Sequence, residues 1–459
     1  MAGIMPGLAQ DSATPVRIQV DAAKTQWIIS KYLTGAHFVY AFEPDSLFAD
    51  GRVAEWMRQS KVGLIRWPGG TAVQTYHWDH LNGIPFKADS WQPGYHAPAA
   101  DPVNYMDLDK YIAFCRQVGA EPMVGINIKS GKDFNREQDG MDEARRLVNY
   151  CENKHYNVKF WYIGNEGYAC GIDSKLYPGY IDRYGGMIKS IIPNAVIIGD
   201  WKFGPLAKHR FEESVAIAKA SEYIDVMEFH EKWGSKWGLS GDEQVGDGWP
   251  MSDWRKESAI YNGDLAKYTR LFREEMTKAG KPNVKVALNE WGVEVKGGTP
   301  FDAALVASDY MLEMFRNDVY QACYWDLNIG PKNSQVLRTS DNNHTLLEFN
   351  PIGEIFKMYS HALGKTMLLL DSDDPRVYGF STVDAASKQI EFYLLNKAEI
   401  TRPLQVQVLN AGLEHPWVSV EAFISPGIVK TTSRHGINPT DFKLNLDPSS
   451  FTCVVLGEK

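Results

Sequence analysis

The feature that most constrains the fold is a regular alternation of short apolar runs with amphipathic segments between about residues 31 and 328. The runs are rich in β-branched residues, and the segments between them repeat apolar residues at a spacing near 3.6, which predicts strands joined by helices. Eight runs occur, at 32–40, 62–70, 121–129, 158–166, 195–201, 223–230, 284–291 and 320–328. Because eight parallel strands close a barrel, the predicted fold class is α/β, a (β/α)8 TIM barrel.

The pattern changes after Pro351 to alternating strands that are separated by turn residues, as in VYGFSTVD and QIEFYLLNK. An additional C-terminal antiparallel β-sandwich domain is therefore predicted, and the early strand VRIQVD at 16–21 is expected to join it. We predict an N-terminal segment over 1–30, the catalytic barrel over 31–350 and the β-sandwich over 351–459. A chain of 459 residues suits one large domain and one smaller domain.

Composition excludes several classes of partner. The net charge is -9 and no basic run occurs, which argues against a nucleic-acid partner. No stretch approaches eighteen consecutive apolar residues, so no membrane partner is predicted. The opening residues lack the charged region of a full signal peptide, and the compartment stays open between the cytoplasm and a secreted or periplasmic location.

No metal and no cofactor is predicted. The five cysteines form no CxxC pair, and no nucleotide, zinc-protease or serine-hydrolase motif occurs. The sequence His77-Trp78-Asp79-His80 has metal-ligand residue types, but it lacks a third ligand at a recognisable spacing.

Polar residues that end the predicted strands are the first functional candidates, because the active site of such a barrel forms at the carboxyl ends of its strands. Glu166 and Glu290 each follow an apolar strand, and each is preceded by Asn. A carboxylate in such a place costs free energy unless it is paired. Its presence there therefore indicates either a structural ion pair or a function. Two matching Asn-Glu dipeptides, on the fourth and seventh strands, favour the functional interpretation.

Two facing carboxylates are what the hydrolysis of a glycosidic bond requires, since one protonates the leaving oxygen while the other side of the anomeric carbon is attacked. A separation of about 5 to 5.5 Å gives retention of configuration, and about 6.5 to 9.5 Å gives inversion. The sequence leaves that distance open.

Four segments carry a resemblance to a known family. WYIGNEGYACG is similar to the acid/base strand of clan A glycoside hydrolases, and ALNEWG is similar to their nucleophile strand. LIRWPGGTAVQTYHW resembles the second strand of family 51 α-L-arabinofuranosidases, and NPIGEIFKMYSHALGKTMLLL resembles the segment that leads into their sandwich.

The resemblance implies a retaining mechanism by double displacement. It assigns Glu166 as the acid/base, Glu290 as the nucleophile and Asn165 as a ligand of the sugar 2-hydroxyl, with Arg66 and His230 near the nucleophile. Two positions depart from the family pattern. Tyr40, with Glu43 nearby, lies where the family has a first-strand Glu, and Thr71 replaces an Asn, so the sugar specificity is open.

Other side chains at strand ends complete the predicted site. Tyr40 and Asn127, together with the aromatic residues Trp67, Trp291 and Trp325, are expected to bind the sugar, because flat rings pack on sugar C–H faces. Large loops also use Trp for their own small cores, so about half of the Trp residues are expected to serve packing.

Three hypotheses follow. The first is an exo-acting α-L-arabinofuranosidase on plant polysaccharide or oligosaccharide. The second is an endo-acting β-glycanase on glucan, xylan or algal galactan with the same two glutamates. The third is a non-catalytic carbohydrate-binding protein, which would have no reason to keep a costly charged pair. Homo-oligomers are expected only by analogy with the family.

Overall fold

The computed structural model describes residues 14–40, 43–79, 89–95, 105–201, 208–233, 250–325, 327–329, 332–340, 343–438 and 440–458, and it describes only the backbone of 208–210, 231–233, 253 and 256–264. The strands are β1 (Val16–Ile28), β2 (Tyr32–His37), β3 (Leu64–Trp67), β4 (Glu121–Ile126), β5 (Phe160–Ile163), β6 (Val196–Asp200), β7 (Val226–Trp233), β8 (Lys285–Val293), β9 (Gln321–Tyr324), β10 (Leu337–Thr339), β11 (Leu346–Phe349), β12 (Thr366–Ser372), β13 (Val377–Val383), β14 (Ile390–Asn396), β15 (Arg402–Leu409), β16 (Pro416–Ile424), β17 (Ile428–His435), β18 (Phe442–Leu446) and β19 (Ser450–Glu458).

The helices, in chain order, are α1 (Asp45–Phe48), α2 (Gly51–Gln59), α3 (Leu108–Val118), α4 (Lys129–Asp133), α5 (Glu137–Asn153), α6 (Tyr177–Ile191), α7 (Lys208–Ala220), α8 (Met251–Lys278), α9 (Pro300–Arg316) and α10 (Ile352–Ser360). A 3₁₀ helix covers Gly70–Gln74. Within the described parts of the chain, no helix is long and apolar enough to cross a membrane.

Strands β2 to β9 form a closed parallel barrel in sequence order, which confirms the predicted fold class. Each of the eight predicted runs overlaps one barrel strand, and β7 and β8 extend two or three residues beyond their runs. Local signals set the helices between them. Helix α9, for example, begins with a capping box in which Thr299 and Asp302 exchange side-chain and backbone hydrogen bonds, and Pro300 occupies its first turn.

The barrel interior is closed by an apolar layer to which all eight strands contribute buried side chains of one cluster, among them Leu64, Phe160, Ile198, Val226 and Ala287. Successive side chains of a strand point to opposite faces, so the residue two positions further along points inward again. By this rule Arg66, Asp200, Glu228 and Asn289 form the next layer, and all four are buried. The apolar layer therefore serves as the floor of a polar site.

The chain divides into two compact units, one of residues 29–364 and the other of residues 1–28 with 365–459. Helix α10 thus belongs to the barrel unit, which extends to residue 364, whereas the sandwich was predicted to begin at residue 351. An amphipathic helix of this kind covers barrel side chains, and its aromatic Phe356 stacks on Trp291.

The second unit contains a nine-stranded sheet in the order β17-β16-β19-β14-β13-β12-β1-β15-β18. Neighbouring strands are antiparallel except for β1 and β15, which run parallel from Val16 opposite Leu404 to Asp21 opposite Leu409. Eight of the nine strands supply side chains to one apolar core, and burial alternates along β15 and β18 as period two requires. Strand β17, at the edge, is mostly exposed.

The barrel floor supplies a test of packing. Phe160 is fully buried, and its ring meets that of Tyr32 edge-on at 5.0 Å. Replacement of Phe160 by Ala should lower the free energy of unfolding by about 3–5 kcal/mol, because it removes buried apolar contacts and leaves a cavity. Denaturant titration of the full chain measures this loss of unfolding free energy.

Leu176→Ala is the matched control, since Leu176 lies in the same unit with 63% of its surface exposed. Its effect should stay within about 0.5 kcal/mol. Equal losses in the two variants would contradict the assignment of Phe160 to the barrel floor.

Candidate active site

Arg66 is the centre of the polar layer. Its guanidinium is fully buried, and Nη2 donates to Asn165 Oδ1 at 3.0 Å, to Asp200 Oδ2 at 3.0 Å and to Glu228 Oε1 at 2.9 Å. The guanidinium also lies 4.0 Å from the ring centroid of Tyr162. Arg66 therefore ties together residues from the ends of four barrel strands.

Glu166 stands just beyond β5 in an unusual backbone conformation. Its φ is +49°, a left-handed value that is uncommon for a residue other than glycine. The backbone N–H of Glu166 donates to Asp200 Oδ2 at 2.8 Å, which holds this conformation. Because the turn breaks the alternation of the strand, Asn165 reaches down to Arg66 while the Glu166 side chain stays at the barrel mouth.

Glu290 reaches the mouth by a different local device. Glu228 pairs with Ala287 and His230 pairs with Glu290, so β8 uses three residue steps where β7 uses two. The same shift occurs against β9, which places a β-bulge on β8 near Asn289. The extra residue allows Asn289 to donate to Glu228 Oε2 at 2.5 Å while the next residue, Glu290, faces His230.

His230 connects the two glutamates. Its Nδ1 lies 3.0 Å from Glu166 Oε1 and 3.4 Å from Glu290 Oε2. A carboxylate oxygen of Glu166 and one of Glu290 lie within 4.8 Å of each other and of a ring nitrogen of His230. The structure thus brings together Arg66, Asn165, Glu166, His230 and Glu290, all of which were predicted from the sequence.

Burial and neighbouring charges act in opposite directions on this cluster. Burial by itself would lower the pKa of His230, but Asp200 and Glu290 raise it well above its usual value. For Asp200, burial raises the pKa and the charge of Glu228 adds to the rise. Burial would also raise the pKa of Glu228, but Arg66 and His230 hold it below its usual value. The carboxylates around His230 therefore favour its protonated form.

The second group around His230 consists of Asp200 and Glu228, and its donor atoms also lie within 4.8 Å of one another. Either triad has the donor types of a metal site, with imidazole and carboxylate ligands. Both include His230, which must be neutral to bind a metal ion, whereas the surrounding carboxylates favour its protonated form.

His37 is a site residue that the sequence analysis missed. It ends β2, is fully buried, and its Nε2 lies 3.3 Å from Arg66 Nη1 while its Nδ1 lies 3.9 Å from Glu290 Oε2. The ring of Trp325 meets it edge-on at 4.6 Å and also lies close to Gly70. A His two residues after an inward-facing Gly at the end of the first strand was the available signal.

Tyr168 is a second missed residue. It hydrogen-bonds Glu166, and its ring packs edge-on against Trp201 at 5.9 Å. Burial and the negative charge of Glu166 raise the pKa of the Tyr168 hydroxyl, so the hydroxyl remains a donor to that carboxylate. Its position two residues after Glu166, in a loop without periodicity, gave no pattern that would reveal the contact.

Trp67 and Trp291 do not face the site, which corrects the expectation that they bind sugar. Both rings are fully buried. Trp67 stacks on Tyr111 of α3, and Trp291 packs against Tyr310 of α9. The reason is alternation, since Trp67 follows the inward-facing Arg66 and therefore points outward, toward the helices.

Tyr40 and Asn127 also take up other contacts. Tyr40 is buried among aromatic rings, including that of Tyr76 at 4.7 Å. Asn127 accepts the backbone N–H of Ser130 and donates to its hydroxyl, which fixes the turn that leads into α4. The described contacts of both side chains lie away from the two glutamates. Trp325 remains at the mouth and Thr71 is exposed, whereas Glu43 is buried.

His77 belongs to a separate buried cluster. Its Nδ1 lies 2.7 Å from Glu143 Oε2, its Nε2 lies 3.0 Å from Asp89 Oδ1, and its ring stacks on Trp91 at 4.6 Å. Both ring nitrogens are engaged by carboxylates, so the cluster ties the segment after β3 to α5. His80 lies outside the described residues.

This cluster predicts a pH dependence of stability. Burial would lower the pKa of His77, but its hydrogen bonds to Asp89 and Glu143 raise it from 6.5 to about 9. Because the pKa of His77 is raised in the folded protein, the His77 cation contributes fully to the free energy of unfolding below pH 6.5. This stabilisation is lost as the pH rises through about 9. We expect wild type to exceed His77→Asn by up to about 3 kcal/mol at pH 6, with the difference shrinking toward pH 10.

Denaturant titrations at a series of pH values measure this difference. His361→Asn serves as the control because His361 is exposed in the same unit. A constant difference between wild type and His77→Asn across this range would contradict the prediction.

The fold and site together define a (β/α)8 barrel with a glutamate pair at its mouth and a separate β-sheet unit. Residues 56–233 match the α-L-arabinofuranosidase 1 domain, which is less than half of the chain. That segment contains Arg66, Glu166 and His230, whereas Glu290 lies beyond it.

Two curated relatives are similar over part of the chain. α-L-Arabinofuranosidase C of Emericella nidulans is 28% identical over 130 residues, which are 25% of this chain and 24% of that protein. The intracellular exo-α-(1→5)-L-arabinofuranosidase of Acetivibrio thermocellus is 24% identical over 278 residues, 52% of this chain and 48% of that protein. The chain thus spans from about a quarter to about half of the length of these relatives.

Solved structures share the fold over nearly the whole chain. The α-L-arabinofuranosidase of Thermotoga maritima, in its arabinose complex, has a TM-score of 0.73 and 19% identity, with 96% of this chain and 99% of that chain covered. A bifunctional glucanase-xylanase from a metagenome library has a TM-score of 0.68 and 14% identity, with 97% and 99% covered. The resemblance to clan A, family 51 enzymes is confirmed by these matches together.

Proposed function

We propose that this chain is a glycoside hydrolase that retains anomeric configuration by double displacement. The observation that carries the proposal is the distance of at most 4.8 Å between carboxylate oxygens of Glu166 and Glu290. Retaining enzymes place their two carboxyl groups about 5 to 5.5 Å apart, whereas inverting enzymes leave room for a water molecule. The short gap supports direct attack by one carboxylate.

The surroundings support Glu290 as the nucleophile. Its Oε2 lies 3.9 Å from Arg66 Nη1 and 3.4 Å from His230 Nδ1. These two groups face the oxygen that would attack the anomeric carbon and hold it in place. In the first step, a Glu290 oxygen bonds to the anomeric carbon as the bond from that carbon to the leaving oxygen breaks.

Glu166 is proposed as the acid/base. Its side chain is 24% exposed, compared with 11% for that of Glu290, so it lies on the more open side of the pair. In the first step it transfers a proton to the leaving oxygen. In the second step it removes a proton from the water that attacks the anomeric carbon and releases Glu290. The acid/base therefore needs access to both leaving group and water.

The substrate that we propose is an α-L-arabinofuranosyl residue at the end of a plant polysaccharide or oligosaccharide side chain, released by exo action. Support comes from the matching arabinofuranosidase domain over residues 56–233 and from the names of the relatives. Asn165 would bind a sugar hydroxyl and Trp325 would pack against the sugar ring, whereas Arg66, which is fully buried, would hold Asn165 in place.

A second candidate is an endo-acting β-glycanase with the same pair of glutamates. The favouring observation is that a glucanase-xylanase shares this fold over 97% of the chain. Tyr40, which lies where family 51 has a first-strand Glu, is also buried among aromatic rings, so this chain lacks the carboxylate that the family has at that position. Activity on linear glucan or xylan would favour this candidate.

The nucleophile assignment is tested with Glu290→Ala. We expect kcat/KM on nitrophenyl glycosides to fall by about 10⁴-fold or more, because no covalent intermediate can form. Azide should restore turnover of activated substrates by taking the place of the carboxylate, and the glycosyl azide should have the inverted configuration. Product analysis by NMR checks this.

Glu121→Ala is the control, since Glu121 begins β4 at the opposite end of the barrel. It should retain wild-type activity. Full activity of Glu290→Ala on every substrate that the wild type hydrolyses would refute the nucleophile assignment, and no hydrolysis by the wild type would favour a carbohydrate-binding protein.

The acid/base assignment is tested with Glu166→Ala on aryl glycosides of graded leaving-group pKa. We expect kcat/KM for poor leaving groups to fall by about 10²–10⁴-fold, with only a small loss for activated ones, since only the former need the proton. Steady-state rates across the series give the slope. An equal loss for all leaving groups would remove Glu166 from the acid role.

A further inference from the structure

Asp200 lies under the catalytic pair and contacts the backbone of Glu166 and the ring of His230. It ends β6 and is fully buried. Its Oδ2 accepts the backbone N–H of Glu166 at 2.8 Å, and its Oδ1 lies 3.3 Å from Nε2 of His230. Asp200 is thus the one carboxylate in the described site that contacts the Glu166 backbone and the His230 ring together.

We propose that Asp200 is a positioning residue for the acid/base, acting through the backbone of Glu166 and through His230. The inference rests on the proposed glycosidase function and extends it to a residue that would not touch the substrate. Full burial beneath the glutamates keeps Asp200 away from the sugar.

The backbone contact explains how Glu166 keeps its place. A left-handed φ at a residue with a side chain is strained and persists where the surroundings hold it. The N–H of Glu166 points into the polar layer, and Asp200 Oδ2 receives it while also accepting from Arg66 Nη2. Arg66 in turn holds Asp200 still, so the loop after β5 is anchored to a fixed oxygen.

The imidazole contact explains how His230 bridges the pair. Carboxylates face His230 from every neighbouring element, with Asp200 on β6, Glu228 on its own strand, Glu166 after β5 and Glu290 on β8. Nε2 of His230 approaches Asp200 Oδ1 at 3.3 Å, as an ion-pair contact, while Nδ1 lies near an oxygen of Glu166 and one of Glu290. The negative charge of Asp200 therefore favours the ring orientation that turns Nδ1 toward the two catalytic oxygens.

Asp200→Asn tests the proposal with little change in shape. The Asn oxygen can still accept from Glu166, but its NH₂ group would face His230 Nε2 and oppose a proton there. We expect kcat/KM for poor leaving groups to fall by about 10²-fold or more, as for impaired proton transfer. Activated aryl glycosides should lose only a few-fold, because Glu290 still faces Arg66, and KM should change little.

Asp225→Asn is the matched control. Asp225 also accepts a backbone N–H of β6, that of Ile197 at 2.8 Å, and it also pairs with a cation, Lys189 at 2.8 Å. Asp225 lies beside the start of β6, whereas Asp200 is the last residue of that strand. It should keep the wild-type dependence on leaving group, and thermal unfolding of both variants shows whether either has lost its fold.

A double variant separates positioning from general damage. If Asp200 acts through His230, then adding His230→Gln to Asp200→Asn should cost little more than the larger single loss. Additive losses, or an equal loss on activated and poor leaving groups, would overturn the proposal.

Nitrogen NMR of His230 in the wild type gives a readout that does not depend on activity. We expect both ring nitrogens to be protonated at neutral pH, and an unprotonated Nε2 would contradict the proposal. That spectrum decides if Asp200→Asn does not fold.

The outcomes distinguish this inference from the proposed function. If the wild type hydrolyses glycosides and Glu290→Ala is rescued by azide while Asp200→Asn behaves like Asp225→Asn, only the positioning role fails. If Glu290→Ala keeps full activity, the proposed mechanism itself fails.

Discussion

The buried guanidinium of Arg66 is the interaction on which the site depends. It lies one layer above an apolar floor, where Asp200 and Glu228 would otherwise be two uncompensated charges. A buried ion pair contributes little net stability, but the loss of one partner is expensive because the other charge stays buried. Arg66 also reaches Asn165 and approaches Glu290, so the same cation links four strand ends to both glutamates.

Above this layer, two departures from regular strand geometry place the glutamates. A strand that alternates strictly would send Asn and Glu of each dipeptide to opposite faces. The left-handed Glu166 and the bulge on β8 avoid that outcome in different ways. In both places the Asn binds the polar layer below, to Arg66 or to Glu228, while the Glu reaches the mouth. His230 then joins the two carboxylates from a third strand.

Much of this arrangement was predictable, and the failures share a cause. Arg66, Asn165, Glu166, His230 and Glu290 were expected near one another because polar residues at the carboxyl ends of barrel strands converge. Trp67 and Trp291 were placed in the site by the same rule, yet each directly follows an inward-facing residue and packs on the helices. Tyr168 was missed because a loop side chain has no periodicity from which its direction can be read.

The sequence by itself determined the barrel, the β-rich second unit and the identity of the two glutamates, because these follow from local periodicity and from the residue type at each strand end. Only the tertiary structure decided the distance between Glu166 and Glu290, the burial of Asp200 and Glu228, and the place of His37 beside Arg66. These depend on strand register, on one bulge and on one left-handed residue. Such features arise from contacts between segments far apart in the chain, which no local pattern records.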